Sequence, residues 1–260
     1  MGHKKLIKFR AIETYRNVLQ HPENIKGNWH TVYGNNNAIT LELACGKGEY
    51  SLGLGRQYPD RNFLGVDIKG NRIYTGAKTA LEEGLDNVAY LRTHISHITK
   101  YFRADDIEEI WIIFPDPFLK KESNRLTHAR YLHLYEQILK PGGRINLKTD
   151  SKELYEFTLE TIAEQDCYVH ENIADVYGQG KATGALAIQT FYEKMHLAEG
   201  RTIYFLSFSL TEKGVKLSGR FNKEILPIAD VPPVVEEAIA IIEGARLEKE
   251  GMSEETLEPA

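Results

Sequence analysis

From residue 39 to residue 210, short apolar runs bounded by turn residues alternate with amphipathic stretches, and this alternation most restricts how the chain can fold. Ile39–Ala44 (ITLELA) reads as a strand and Tyr50–Tyr58 as the helix after it. Asn62–Ile68 is a second strand, followed by a helix over Asn71–Gly84 with Ile73, Ala77, Ala80 and Leu81 at 3–4 spacing. Val88–Leu91 is a third strand. Glu109–Phe114 is a continuous apolar run, as in strands buried on both faces. A helix over Thr127–Leu139 stops at Lys140-Pro141-Gly142-Gly143, and Arg144–Lys148 is a fifth strand. Ser151–Gln165 reads as a helix, with Asp150 or Ser151 as its N-cap. Cys167–Val176 and Arg201–Leu210 read as two further strands, joined through Gly178–Gly200, which holds a helical stretch near Ile188–Ala198. Strand–helix alternation of this kind calls for parallel β-α-β units: an α/β fold, a doubly wound, Rossmann-like, mostly parallel sheet with helices on both faces.

The chain has 260 residues, 42% of them hydrophobic and 27% charged, which fits one globular domain rather than a disordered or fibrous chain. No apolar run approaches the roughly 18 residues of a membrane helix, and the basic N-terminus has no apolar segment of the secretory type after it. Cys45 and Cys167 fit a reducing compartment, so a cytoplasmic location is expected. The net charge of −5 argues mildly against a nucleic-acid partner, but the charge is uneven. Residues 211–260 carry six basic and eleven acidic residues, whereas residues 1–210 carry 26 of each sign. Residues 1–210 are therefore read as the folded domain, with a basic N-terminal segment. Residues 211–260 are read as an acidic, partly helical extension, its prolines followed by an amphipathic stretch over Val234–Glu250.

Doubly wound sheets bind ligands at the carboxyl ends of their strands, near the point where strand order reverses. The first strand runs into Glu42-Leu43-Ala44-Cys45-Gly46-Lys47-Gly48. A glycine turn there lets backbone approach a ligand, although Gly46 and Gly48 supply only G-x-G, which an ordinary β-α turn also shows. Glu42 stands in an otherwise apolar strand, where a carboxylate needs a partner. Asp67 ends the second strand and suits the two hydroxyls of a ribose; a solvated strand-end aspartate is the alternative. The fourth strand leads into Phe114-Pro115-Asp116-Pro117, where two prolines hold Asp116 in a stiff, extended segment.

Basic residues follow. Pro117 to Lys152 contains eight (Lys120, Lys121, Arg125, Arg130, Lys140, Arg144, Lys148, Lys152) against three acidic residues, and Lys4, Lys5, Lys8 and Arg10 precede the first acidic residue, Glu13. Clusters of this kind are the footprint of phosphate-backbone binding, though a single charge run is more often a solvated face.

Taken in order, LELACGKG, FLGVD, FPDPFLKK, LKPGG, LKTD and IQTFYE resemble the bacterial tRNA (guanine-N7)-methyltransferases, over roughly Ile39 to Leu210. The resemblance implies a class I S-adenosylmethionine-dependent methyltransferase sheet of seven strands with an antiparallel last strand. It implies methyl transfer from S-adenosyl-L-methionine to N7 of a guanosine in the tRNA variable loop. It assigns Glu42, Gly46, Gly48, Asp67 and Asp116 to the cofactor, and Asp116 also to catalysis. It assigns Lys120, Asp150, Thr190 and Glu193 to the substrate. It also implies tRNA as partner, a monomer or homodimer with no obligate partner subunit, and family members that end near Leu210. Two departures stand out: Ala44 replaces a frequent glycine, and His94 replaces a common acidic residue after the third strand.

Guanine N7 has a lone pair and no proton, so no base is needed to deprotonate it, and positioning and electrostatics are what remain for the protein. No metal is expected. Two other readings share parts of the pattern. A methyltransferase for a small molecule or protein would keep the glycine loop and Asp67 without FPDP-Lys and T-x-x-E. A non-catalytic RNA-binding module would have no use for an intact Glu42, Gly46, Gly48, Asp67 and Asp116. A nicotinamide dehydrogenase lacks support because the third glycine of its fingerprint is missing.

Overall fold

The computed structural model describes residues 2–217. In chain order the elements are α1 (Gly2–Glu13), β1 (Val18–Gln20), α2 (His30–Tyr33), β2 (Ile39–Leu43), α3 (Glu49–Gln57), β3 (Asn62–Asp67), α4 (Gly70–Glu82) and β4 (Val88–Arg92), then β5 (Ile107–Ile113), α5 (Ala129–Glu136), β6 (Leu139–Thr149), α6 (Lys152–Glu164), β7 (Tyr168–Ile173), α7 (Phe191–Ala198) and β8 (Tyr204–Ser209). The expected helix over Val234–Glu250 lies outside the described residues. No described helix is long and apolar enough to cross a membrane.

The strands form one sheet in the order β1-β4-β3-β2-β5-β6-β8-β7. All neighbours are parallel except β8, which runs antiparallel to both β6 and β7. The expected mostly parallel sheet with an antiparallel last strand is therefore present, with one strand more than anticipated. Three-residue β1, too short for periodicity to register, extends the edge by pairing with β4. Strand order reverses between β2 and β5, so the switch point lies between the ends of Leu43 and Ile113. Every residue of β2 and β3 is buried, so neither strand shows the polar alternation of a half-exposed sheet.

Two boundaries differ for local reasons. The helix expected to reach Leu139 ends at Glu136, and β6 already begins at Leu139, which pairs with Ile107. Pro141-Gly142-Gly143 is an irregularity inside this strand rather than a stop: a Cβ on Gly143 would lie 2.9 Å from the Lys140 carbonyl oxygen and 3.0 Å from that of Glu108. The N-terminal segment, read only as basic, folds as α1 and packs on α4. Ile12 is fully buried, and a Cβ on Gly70 would sit 2.7 Å from both the Ile12 and Phe9 side chains. Gly70 opens α4 just after β3, so α1 lies beside the carboxyl end of that strand. After β8 the chain runs to the carboxyl ends of α5 and α6: the Val215 amide donates to Glu136, and the Lys216 amide donates to Gln165.

Candidate functional site

The loop after β2 is built around a buried carboxylate. Glu42 is 4% exposed, and its Oε2 accepts hydrogen bonds from both the amide and the hydroxyl of Ser51, in the first turn of α3. Glu42 thus clamps the strand to the helix across the turn. Burial pushes its carboxyl up to about 7; the Ser51 hydrogen bonds oppose the rise, and the charges of Asp67 and Glu49 add to it. Between strand and helix, Ala44 (φ 57°), Gly46 (φ 56°) and Gly48 (φ 68°) are all left-handed. A Cβ on Gly46 meets nothing within 4 Å, so the loop backbone borders open space at that point.

The neighbouring strand completes the loop. Asp67 Oδ2 accepts the Gly46 amide at 2.9 Å, and Oδ1 accepts the Lys69 amide at 2.8 Å. A carboxylate has about four acceptor positions, so two remain for a ligand. Beneath the loop lies Tyr90 of β4, fully buried, its hydroxyl donating to the Gly48 carbonyl at 3.2 Å. Cβ atoms on Gly48, Gly65 or Gly76 would fall 2.3, 2.7 and 2.5 Å from this tyrosine. Three glycines spread over 29 positions thus make room for one ring, a relationship that sequence spacing alone does not reveal. Cys45 is buried in the same loop, and burial raises its thiol well above the usual range.

Across the switch point, Phe114 (φ 45°) and Phe118 (φ 41°) are left-handed, an uncommon conformation for bulky residues. They bracket Asp116, which is exposed and accepts the Phe118 amide at Oδ1, 3.0 Å away. The segment is pinned from both sides: the Phe114 amide donates to the Lys148 carbonyl, and Arg125 Nε donates to the Pro117 carbonyl. Arg125 is 5% exposed and stacks on Phe157. Glu42, Gly46, Gly48, Asp67 and Asp116 therefore all stand on or just beyond the carboxyl ends of β2, β3 and β5.

The basic residues divide. Lys120 and Lys121 are exposed beyond Asp116, and Arg130 and Lys152 open the helices that follow. Arg125 is a structural pin and Lys148 is fully buried, while Lys140 and Arg144 flank Glu108 and Glu109 at the opposite, amino end of the strands. The eight basic residues do not form one patch.

The T-x-x-E segment is a helix start. Thr190 is the N-cap of α7, its Oγ1 accepting the Glu193 amide at 3.2 Å. Glu193 is 0% exposed, pairs with Lys148 and accepts from the Tyr177 hydroxyl. Burial lowers the Lys148 ammonium from the usual lysine range, and Glu193 opposes that shift. Asp150 is held by Arg201 at 2.7 Å, with His196 at 3.7 Å; Ser151, not Asp150, caps α6. The aromatic pair inside the motif is on the surface, Phe191 52% and Tyr192 48% exposed, so neither side chain packs into the core. Lys47 of the glycine loop lies 4.7 Å from the centre of the Phe191 ring, and Glu49 accepts the Phe191 amide. His94 caps the turn after β4 through the Ser96 amide, and its pKa is lowered, first by burial and then by Arg130.

A family model described as putative methyltransferase matches residues 36–206. A tRNA (guanine-N(7)-)-methyltransferase of Porphyromonas gingivalis is 45% identical over 77% of this chain and 87% of its own length. This chain belongs to the tRNA (guanine-N(7)-)-methyltransferase family. The namesake of Christiangramia forsetii is 42% identical over 81% of this chain and all of its own length. Among solved structures, the 16S rRNA methyltransferase KamB superposes with a TM-score of 0.56 at 13% identity, over 71% of this chain and 93% of that one, which shows the shared fold. The fold and family expected from the sequence are thus shown, and the small-molecule, non-catalytic and dehydrogenase readings fall away.

Proposed function

We propose that this chain transfers a methyl group from S-adenosyl-L-methionine to N7 of a guanosine in the variable loop of tRNA. The observation that carries this reading is the 45% identity to a curated enzyme of that name over most of both chains. The convergence of Glu42, Asp67 and Asp116 at the switch point supports it.

The residues present fit the cofactor. Gly46 borders open space, and Asp67 retains acceptor capacity for ribose hydroxyls. Glu42 clamps the loop to α3, and the carboxylates of Asp67 and Asp116 beyond the strand ends suit a ligand with two cationic centres. When bound, S-adenosylmethionine supplies an electrophilic methyl group on sulfur. Transfer of that methyl group to the N7 lone pair would break the sulfur–methyl bond, release the neutral thioether and leave the positive charge on the guanine ring. The protein must therefore orient the base and stabilise positive charge. Asp116, held by its pinned and strained segment, serves both purposes as a carboxylate beside the base. Lys120, together with Lys8 and Arg10 of α1, holds phosphates. Thr190 and Glu193 shape the substrate side by fixing the start of α7, where Phe191 and Tyr192 offer rings to an unstacked base, and Asp150 holds the other end of that helix through Arg201 and His196.

Incubation with methyl-labelled S-adenosylmethionine and unmodified tRNA, followed by mapping of the label, tests this reading. Label at guanine N7 supports it; label at another base, or none, contradicts it.

A further inference from the structure

The proposed chemistry leaves one fully buried charge unused. Lys148, near the carboxyl end of β6, is 0% exposed. Its side chain stands on the sheet face that also carries Asn146, two residues earlier, and its ammonium lies 5.7 Å from the centre of the Tyr50 ring.

An ammonium has three donors, and all three are used. Nζ pairs with Glu193, donates to the Leu186 carbonyl at 2.9 Å, and donates to the Ile188 carbonyl at 3.2 Å. Tyr50 of α3 donates to the next available carbonyl, Ala185, at 2.7 Å. Three backbone carbonyls within four residues are therefore gripped from below by side chains of β6 and α3. These carbonyls sit in the turn Gly184–Ala187 and at Ile188 just after it, in the long connection between β7 and α7. The connection has no regular ladder to hold it, and it ends at Thr190, Phe191 and Tyr192.

Desolvating an ammonium is costly, and an apolar side chain of similar length would fill the space at less expense. What an apolar residue cannot do is fix carbonyls of a non-repetitive segment and the first turn of a helix at once. We propose that Lys148 is a positioning residue for the substrate side of the site: it anchors the connection 185–188 and, through Glu193, the start of α7. This rests on the tRNA methyltransferase reading for its consequence in catalysis, but not for the anchoring itself. The glycine loop has anchors of its own in Glu42, Asp67 and Tyr90, and meets α7 through Lys47 and Glu49 at Phe191, so loss of Lys148 acts first on the RNA side and much less on the cofactor side.

The test compares wild type, Lys148→Met and the milder Tyr50→Phe, which removes a single hydroxyl and keeps the ring. Amide hydrogen exchange is read over 184–191 and over 46–52, together with the Kd for S-adenosylmethionine and steady-state kinetics with tRNA. In Lys148→Met, exchange over 184–191 speeds up by about tenfold or more while 46–52 is unchanged. kcat/KM for tRNA falls by about 100-fold, and the Kd for S-adenosylmethionine stays within about threefold of wild type. Tyr50→Phe, which frees only the Ala185 carbonyl, speeds exchange over 184–191 in smaller measure, with 46–48 as its unchanged control, and decides the anchoring if Lys148→Met does not fold. Unchanged exchange over 184–191 overturns the anchoring. Faster exchange with unaltered tRNA kinetics, or equal losses for tRNA and cofactor, overturns the positioning role. A wild type inert on tRNA overturns the functional reading, while the exchange arm still decides the anchoring.

Discussion

Asp67 reaches back from the end of β3 to accept the Gly46 amide at 2.9 Å, so the residue we propose for the ribose also sets the shape of the loop beside it. Its other oxygen takes the Lys69 amide at the entry to α4. Asp67→Ala therefore removes a ligand contact and loosens the loop together. Charge-assisted hydrogen bonds contribute about 1.5–3 kcal/mol each. The Kd for S-adenosylmethionine, measured by calorimetry, should rise on the order of 10- to 100-fold, while tRNA affinity stays close to wild type.

Glu42 makes stability depend on pH. Its carboxyl is raised from 4.5 to about 7 in the folded protein, so between those values the folded state binds more protons than the unfolded state. The associated stability is fully present below about 4.5 and is lost as pH rises through 7. The shift corresponds to about 3 kcal/mol. Glu42→Gln keeps an acceptor for Ser51 and removes the titration. Urea unfolding of both proteins at pH 5 and pH 8.5 should show wild type losing stability relative to the variant at the higher pH. A constant difference between them would show that Glu42 does not titrate in this window.

Ala44 occupies a left-handed position, φ 57°, that glycine adopts without strain. Ala44→Gly relieves that strain but gives the unfolded chain more freedom, and the two effects partly cancel. A net stabilisation of about 0.5 kcal/mol is expected, read as a rise of about 1–2 °C in Tm. A fall in Tm would mean that the Ala44 methyl group makes packing contacts that outweigh its conformation.

Phe191 is 52% exposed with Lys47 beside its ring, an arrangement suited to stacking a base against a ring while the cation faces a phosphate. Stacking on an aromatic side chain contributes about 1–3 kcal/mol per base. Phe191→Ala should weaken tRNA binding by roughly tenfold in a filter or fluorescence titration, with Tm nearly unchanged because the ring packs against little.

The middle of the sheet was legible because β2, β3 and β4 are buried almost throughout and are separated by turns that contain glycine or proline. β2 through β4 fall within about two residues of their expected limits. Glu42, Asp67 and Asp116 were legible as carboxylates at strand ends, where an apolar run makes a charge conspicuous. Other parts of the site depend on contacts between distant residues. Tyr90 looks like any strand tyrosine until Gly48, Gly65 and Gly76 surround it. Lys148 reads as one member of a basic run until the sheet buries it against Glu193, 45 positions later. Pro141-Gly142-Gly143 carries the composition of a stop, and only pairing with β5 turns it into part of a strand.

The central assignment is Asp116, an exposed carboxylate beyond β5, held between two left-handed phenylalanines on the β5 side of the switch point, with Glu42 and Asp67 on β2 and β3. The most direct measurement is single-turnover methyl transfer to unmodified tRNA by wild type and Asp116→Ala, with the labelled base mapped and tRNA affinity measured in parallel. Wild type should label guanine N7, and Asp116→Ala should lose at least about 100-fold in rate while binding tRNA within a fewfold of wild type. Near-normal transfer by Asp116→Ala would contradict the assignment.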